Sequence, residues 1–282
     1  MIGYGGYLMW TPVIRELRTR TDALCFPYEQ LSNGMIKPVF SDIFKNNSGV
    51  IWEHDMKKCS KWVMLQLNNP KTNYCLQDLP DRAVHRSDIH VAQLICEFYG
   101  IKGADIKPEL FLTAEEYQHA EELIHFFQLT DGNFITIEPS SKMEYSKNRL
   151  YPIEKWQRVV DELVKVTTVV QVGHGGITLD NVVNMKGWNT FRTTAAIIKR
   201  SRLFLSSEGG LMHAARAVNT PSIIVVSGYT HPVMTCYPEN CNIWVGKDHG
   251  PCGMKEVCPK CYAGFQAHDE GEIIEEALKR LK

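Results

Sequence analysis

At 282 residues the chain has the length of two domains, each large enough to bury its own core. Lys plus Arg number 31 against 32 Asp plus Glu, a formal net charge of -1, which excludes the basic excess of a general nucleic-acid binder. No apolar run approaches the roughly 18 residues of a membrane span, and the opening Met1-Ile2-Gly3-Tyr4-Gly5-Gly6 lacks a basic segment followed by an apolar one. The expectation is a cytoplasmic protein with no transmembrane segment.

In chain order, Leu8, Trp10, Val13, Ile14 and Leu17 share one helical face, with Pro12 tolerable in a first turn. Residues 62–67 alternate as a short strand. A helix is predicted over 89–99, stopping at Gly100, and 105–112 reads as a linker around Pro108. Thr113 and Glu116 form a capping-box pattern that opens a helix to about Gln128. The second half is more regular. Strands are predicted over 134–137, 168–172, 203–205 and 222–226, with helices over 153–164, 193–200 and 211–218 between them, and a last helix over 270–281. Near-continuous apolar strands alternating with helices imply a parallel α/β sheet, whose ligands sit at the carboxyl ends of its strands.

Four places there could carry chemistry. Glu208-Gly209-Gly210 stands between a buried strand and a helix. Its backbone N–H groups suit a phosphate, Glu208 suits sugar hydroxyls, and His213 lies one turn further on. A tight turn with a capping carboxylate and a core histidine is the plain alternative. Ser140, Ser141 and Lys142, then Lys147 and Arg149, offer hydroxyls and cations after the strand 134–137; a solvated loop would look the same. Gly3-Tyr4-Gly5-Gly6 resembles the start of a dinucleotide fingerprint, but Leu8 stands where the third glycine belongs. Finally, nine cysteines is an odd count for disulfides, and Cys252, Cys258 and Cys261 crowd one loop. Thiolates so spaced can share a metal, with Cys236, Cys241 or His268 as the fourth ligand, or remain thiols.

The order of these motifs resembles glycosyltransferase family 9, the heptosyltransferase-like family. Asn184-Met185-Lys186-Gly187-Trp188 is similar to the family's "N-L-x-G" stretch. Glu208-Gly209-Gly210-Leu211-Met212-His213-Ala214-Ala215 is similar to its "D-S/T-G-x-x-H-x-A" loop, and Gly228-Tyr229-Thr230-His231-Pro232 continues the pattern. Ser140, Ser141, Lys142 and Tyr151-Pro152 fall where the family has "P-G-A…K-x-W-P", and Thr11-Pro12 resembles the end of its "G-D-x-L-x-x-T-P". The C-terminal cysteines also resemble those of many members. The likeness covers 134 to the end best.

The resemblance implies a GT-B-like α/β fold, two Rossmann-like domains facing a cleft. Residues 1–112 would hold an acceptor, and 113–282 a nucleotide sugar, with the last helix packing back on the first domain. Transfer from a nucleoside-diphosphate sugar, an ADP-heptose-like donor among the possibilities, to a glycan or other hydroxyl acceptor follows. Ser140, Ser141, Lys142, Gly209 and Gly210 would hold the diphosphate, with Lys147 and Arg149 as reserve cations. Glu208 and His213 would face sugar or phosphate, and Gly187 and Trp188 the base or ribose. Transfer itself would need no cofactor; the cysteines could hold structural zinc or iron.

Three departures accompany the likeness. Glu208 replaces an Asp. Gly6 replaces the family's proposed catalytic Asp, so a base is expected from His54, Asp55, His85, Asp88 or His90. The usual first strand is missing or very short, as in a shortened reading frame or a trimmed first domain. A nucleotide-sugar-binding protein without catalysis and a nucleotide-sugar epimerase remain the other readings.

Overall fold

The computed structural model describes residues 3–72, 88–140, 146–254 and 256–282. Helix α1 (Tyr4–Thr21) begins more than a turn before the apolar face that predicts it, so Pro12 lies in its interior. A proline there leaves the carbonyl four residues back without its N–H partner. The Thr11 hydroxyl donates to that Leu8 carbonyl at 2.7 Å, which lets the helix run through. Strands β1 (Leu24–Gln30), β2 (Ile36–Pro38) and β3 (Trp62–Gln66) follow. They form a sheet in the order β2-β1-β3, with β1 parallel to β3 and antiparallel to β2. Helix α2 (Val91–Phe98) packs on α1. The segment 105–112 then returns along α1, where Arg15 donates to the Lys107 carbonyl at 2.8 Å and Thr11 Oγ1 accepts from Glu109 N at 2.8 Å.

The capping box forms as the sequence predicts. Thr113 Oγ1 accepts from Glu116 N, and Glu116 Oε2 accepts from Thr113 N, at the start of α3 (Ala114–Phe126). Beyond it lies a second sheet built from β4 (Phe134–Glu138), β5 (Thr168–Gln171), β6 (Val183–Asn184), β7 (Phe204–Ser207), β8 (Ser222–Val226) and β9 (Cys241–Trp244). All neighbours are parallel, in the order β6-β5-β4-β7-β8-β9. The chain winds outward from β4 one way and from β7 the other, the doubly wound pattern. Helices α5 (Phe191–Arg200) and α6 (Gly210–Ala217) cover one face. Helices α4 (Ile153–Leu163) and α9 (Gly271–Leu281) cover the other. Every residue of β7 and β8 is buried, as expected of strands covered on both faces.

The last helix corrects one expectation. It does not turn back to the first sheet but packs on α4 and β8. Ile273 and Ala277 share a core with Trp156, Val160 and Leu163, and Lys155 reaches Glu270 at 3.1 Å. Its apolar stripe and first-turn charge both find their complements on α4. Short helices α7 (Pro232–Thr235) and α8 (Pro259–Ala267) flank β9. No helix among the described residues is long and apolar enough to cross a membrane.

Candidate active site

The two sheets meet where α1 packs on α6. A Cβ on Gly5 would stand 2.9 Å from His213 Cδ2 and 3.0 Å from Gly210 Cα. Only a residue without a side chain lets these helices approach so closely. Their first turns therefore open side by side into a cleft of about 750 Å³. Arg192 at the start of α5 holds the cleft's shape. Its buried guanidinium donates to both carboxylate oxygens of Glu116 (2.6 and 2.9 Å), to the Asp42 carbonyl (2.8 Å) and to the Phe111 carbonyl. One side chain thus joins the first unit, the connecting segment and the second sheet.

The first unit lines the cleft with Gly3, Tyr4, Gly5, Gly6, Asp42 and Ile43. The second lines it at the switch point of its sheet. Glu138 ends β4 beside Ser206 of β7, and Arg149 crosses to Glu208. Arg149 Nε donates to Glu208 Oε2 at 2.7 Å and Nη2 to the Glu208 carbonyl at 3.0 Å; the pair is largely buried. Three helix N-termini open here. Gly3 and Gly209, the N-caps of α1 and α6, make no side-chain capping bond, whereas Thr190 of α5 caps Thr193 N. First-turn N–H groups at such ends attract anions.

Two buried ionisable groups are held uncharged near neutral pH. Burial, opposed only in part by Arg149, pushes the Glu138 carboxyl up to about 8. Its Oε2 is buried without a hydrogen-bond partner among the described residues. Gly173 makes room for it: its φ is +98°, and a Cβ there would stand 2.9 Å from Glu138 Oε1. Burial, with His90 and Arg149 adding to it, holds the His213 imidazole down to about 3. His213 Nδ1 lies 2.7 Å from the Tyr237 hydroxyl.

Of the residues singled out in the sequence, Ser140, Gly187, Trp188, Glu208, Gly209, Gly210 and His213 all line the cleft. Trp188 is half exposed and packs against Phe126 and Phe127. Ser141 and Lys142 lie outside the described residues, as does His85. Lys147 is corrected: it pairs with Glu256 at 3.2 Å on an exposed face and lines a separate groove. Two residues along the turn, Arg149 is the cation that faces the cleft, and the pattern ending at Tyr151-Pro152 held that signal. Four of the five expected first-unit bases are corrected too. His54 and Asp55 pair with each other in an exposed turn, Asp88 is exposed, and His90 caps α2 and stacks on Tyr237. None lines the cleft. Glu138, Asp42, His174, Asn189 and Arg192 do, and sequence reasoning did not single them out for the site.

Residues 81–262 match the family model described as glycosyltransferase family 9 (heptosyltransferase). The chain belongs to glycosyltransferase family 9. The match opens well ahead of residue 134, where the sequence likeness was strongest. Among solved structures, the family 9 glycosyl transferase of Veillonella parvula superposes with a TM-score of 0.70 at 15% identity, covering 100% of this chain and 95% of that one. The ADP-heptose LPS heptosyltransferase II of E. coli gives 0.61 at 12%, covering 99% and 96%. The iron-containing dodecameric glycosyltransferase TibC of enterotoxigenic E. coli gives 0.69 at 12%, covering 100% and 74%. These likenesses are of fold, the GT-B-like architecture. No curated protein matches the sequence.

The cysteine loop of this family 9 chain lies behind the arginine turn. The sulfurs of Cys252, Cys258 and Cys261 all lie within 4.8 Å of one another, and none of the described cysteines is in a disulfide. A hydrogen bond from Cys261 outweighs burial and holds the Cys252 thiol down to about 6. Three thiol donors at this spacing can hold a metal ion. Of the expected fourth ligands, none joins that group; His268 instead bonds the Tyr151 hydroxyl at 2.7 Å.

Proposed function

We propose that the cleft binds a nucleoside-diphosphate sugar on the unit formed by residues 113–282 and transfers the sugar to a hydroxyl acceptor, such as a glycan, held by residues 1–112. The observation that carries this reading is the convergence of Arg149 with the open N-termini of α1 and α6 at the switch point of the parallel sheet. A diphosphate satisfies that convergence: helix N–H groups and a guanidinium bind it, and both stabilise the charge that grows on it as it leaves. Gly209, Gly210, Ser140 and Arg149 hold the phosphates. Glu208 and His213 floor the sugar side, and Gly187 and Trp188 flank the base or ribose.

In the transfer the acceptor oxygen bonds to the anomeric carbon, the bond from that carbon to the phosphate oxygen breaks, and the nucleoside diphosphate leaves. The acceptor proton passes to a base. The donor is ADP-heptose-like, a reading supported by the named activity of the E. coli heptosyltransferase. Transfer needs no cofactor, and the three thiols hold structural zinc or iron; TibC, described as iron-containing, supports the latter.

A thermal-shift screen against ADP-, GDP-, UDP- and dTDP-sugars tests the donor. A ligand at 100 times its dissociation constant stabilises by about 2.7 kcal/mol, and no shift with any of the four would sink the assignment. One observation favours a second reading, a nucleotide-sugar-binding protein without turnover: buried Gly6 brings no carboxylate to the cleft. Measuring turnover beside binding separates the two.

A further inference from the structure

We propose that His249 completes a four-ligand metal site with Cys252, Cys258 and Cys261, and that this site fixes Arg149 at the cleft through Asn148. The inference rests on the reading of the three thiols as a metal site. Sulfurs bound at roughly 2.3 Å in a tetrahedron lie about 3.8 Å apart; Cys261 and Cys252 lie 3.5 Å apart. Three thiolates leave one corner to fill. The His249 imidazole is not among the atoms grouped within 4.8 Å, but it packs next to Cys261 Sγ in a cradle of glycines. A Cβ on Gly228 would stand 2.6 Å from His249 Nε2 and 2.9 Å from Cys261 Sγ, and one on Gly264 would stand 2.6 Å from His249 Cε1. Any larger residue at either place would displace the ring.

His249 Nε2 is buried and has no hydrogen-bond partner among the described residues. A buried ring nitrogen in that state is a cost that a structure does not keep without a reason, and a metal held with the neighbouring thiols supplies one. The donor set, three sulfurs and one imidazole nitrogen, suits zinc or iron.

Between β9 and α8 the segment that carries His249, Cys252 and Cys258 has no strand or helix among the described residues, so its shape depends on cross-links; Cys261 stands in the first turn of α8. One side is tied to the end of β8: Cys252 N donates to the Gly228 carbonyl at 2.7 Å and Gly253 N to the Tyr229 carbonyl at 3.0 Å. The other side is tied to the turn before α4. Asn148 Nδ2 donates to the Met254 and Glu256 carbonyls (2.9 and 2.6 Å), and its Oδ1 accepts from Cys258 N at 2.7 Å. Buried Asn148 is thus committed to the cysteine loop, and the next residue is the arginine that faces the cleft. Asn148 is a positioning residue: it never enters the cleft, yet it relays the order of the metal loop to Arg149.

The test uses the full chain purified without chelator. Metal per chain, measured by elemental mass spectrometry, is expected near one in the parent, at least tenfold lower in His249→Ala, and restored in His249→Cys. The visible ligand-field bands of cobalt-loaded protein should change between parent and His249→Cys. Asn148→Ala is expected to keep its metal but bind ADP at least tenfold more weakly, and stripping the parent of metal should weaken ADP by the same route. Full metal in His249→Ala overturns the fourth ligand while leaving the thiol site standing; no metal in the parent overturns both. Unchanged ADP affinity in both Asn148→Ala and metal-free parent overturns the relay. Circular dichroism of each variant confirms that the comparison is between folded proteins.

Discussion

The two walls of the cleft are built from different groups. The wall at the carboxyl ends of β4, β5 and β7 carries ionisable side chains, Glu138, Arg149, His174 and Glu208, while the facing first turn of α1 offers backbone at Gly3, Gly5 and Gly6, with Tyr4 beside it. The side-chain wall can grip and polarise a donor. That backbone turn can attract an anion but cannot take a proton, and Asp42 is the carboxylate that the first unit brings to the cleft. In a transferase both jobs are needed, so the contrast puts the chemistry of deprotonation, rather than of binding, at the weak side of this cleft.

Restoring a carboxylate to the backbone wall is the strongest way to break the contrast. Gly6 is the third residue of α1 and lines the cleft. An Asp there would sit at the positive end of the helix, a favourable place for a carboxylate. A positioned base contributes about 10²–10⁴-fold. Gly6→Asp is therefore expected to raise turnover with a competent donor and acceptor by that order, with little change in donor affinity. Equal turnover in variant and parent would mean that the proton already has a destination.

The side-chain wall is probed by Arg149→Ala. Losing a charge-assisted bond to the diphosphate should weaken donor binding by about 1.5–3 kcal/mol. The same change leaves Glu208 buried without its partner, so the melting temperature should fall as well. Lys147→Ala is the control. Its ion pair with Glu256 is exposed, and such pairs contribute roughly 0–1 kcal/mol, so donor affinity should not move. Isothermal titration of the two variants with ADP decides between the cations, and a larger loss from Lys147→Ala would reverse the assignment.

That pair also marks where sequence reasoning reached its limit. The strands of the second sheet are legible because a strand buried on both faces is an unbroken apolar run: the predicted 222–226 coincides with β8. Strand β1 is not legible, since Pro27 interrupts it and reads as a breaker; it persists because Pro27 still accepts from Val39 N. Strand β9 is short, half polar and at the sheet edge. The glycine turn at 208–210 is legible as a strand-to-helix turn at the carboxyl end of the sheet, and the structure has it lining the cleft. Which cation faces the cleft is not legible, because the turn at 146–149 has no periodicity from which to read a direction. The same holds for His249, three residues before Cys252. Its proximity to the thiols depends on Gly228 and Gly264 leaving space, a property of packing rather than of spacing.

Glu138 sharpens the contrast with a smaller, pH-dependent effect. Its carboxyl has an ordinary value of 4.5 and is pushed to about 8 by burial. Between those values the folded protein keeps a proton that the unfolded chain releases, so the folded state binds more protons and stability falls as pH rises. One such group contributes at most about 1.4 kcal/mol per pH unit. Urea unfolding of the parent at intervals between pH 5 and 8 should show this decline, and Glu138→Gln, which cannot ionise, should show a shallower one. The difference between the two profiles isolates Glu138 from every other titrating group. A diphosphate bound nearby would favour the protonated carboxyl still more, because an ionised one would repel it. Saturating ADP should therefore move the upper end of the parent's decline to higher pH and leave the Gln variant's profile unchanged in shape. Identical slopes in parent and variant, with and without ADP, would mean that Glu138 is ionised at neutral pH. The wall facing α1 would then hold a carboxylate able to accept the acceptor's proton.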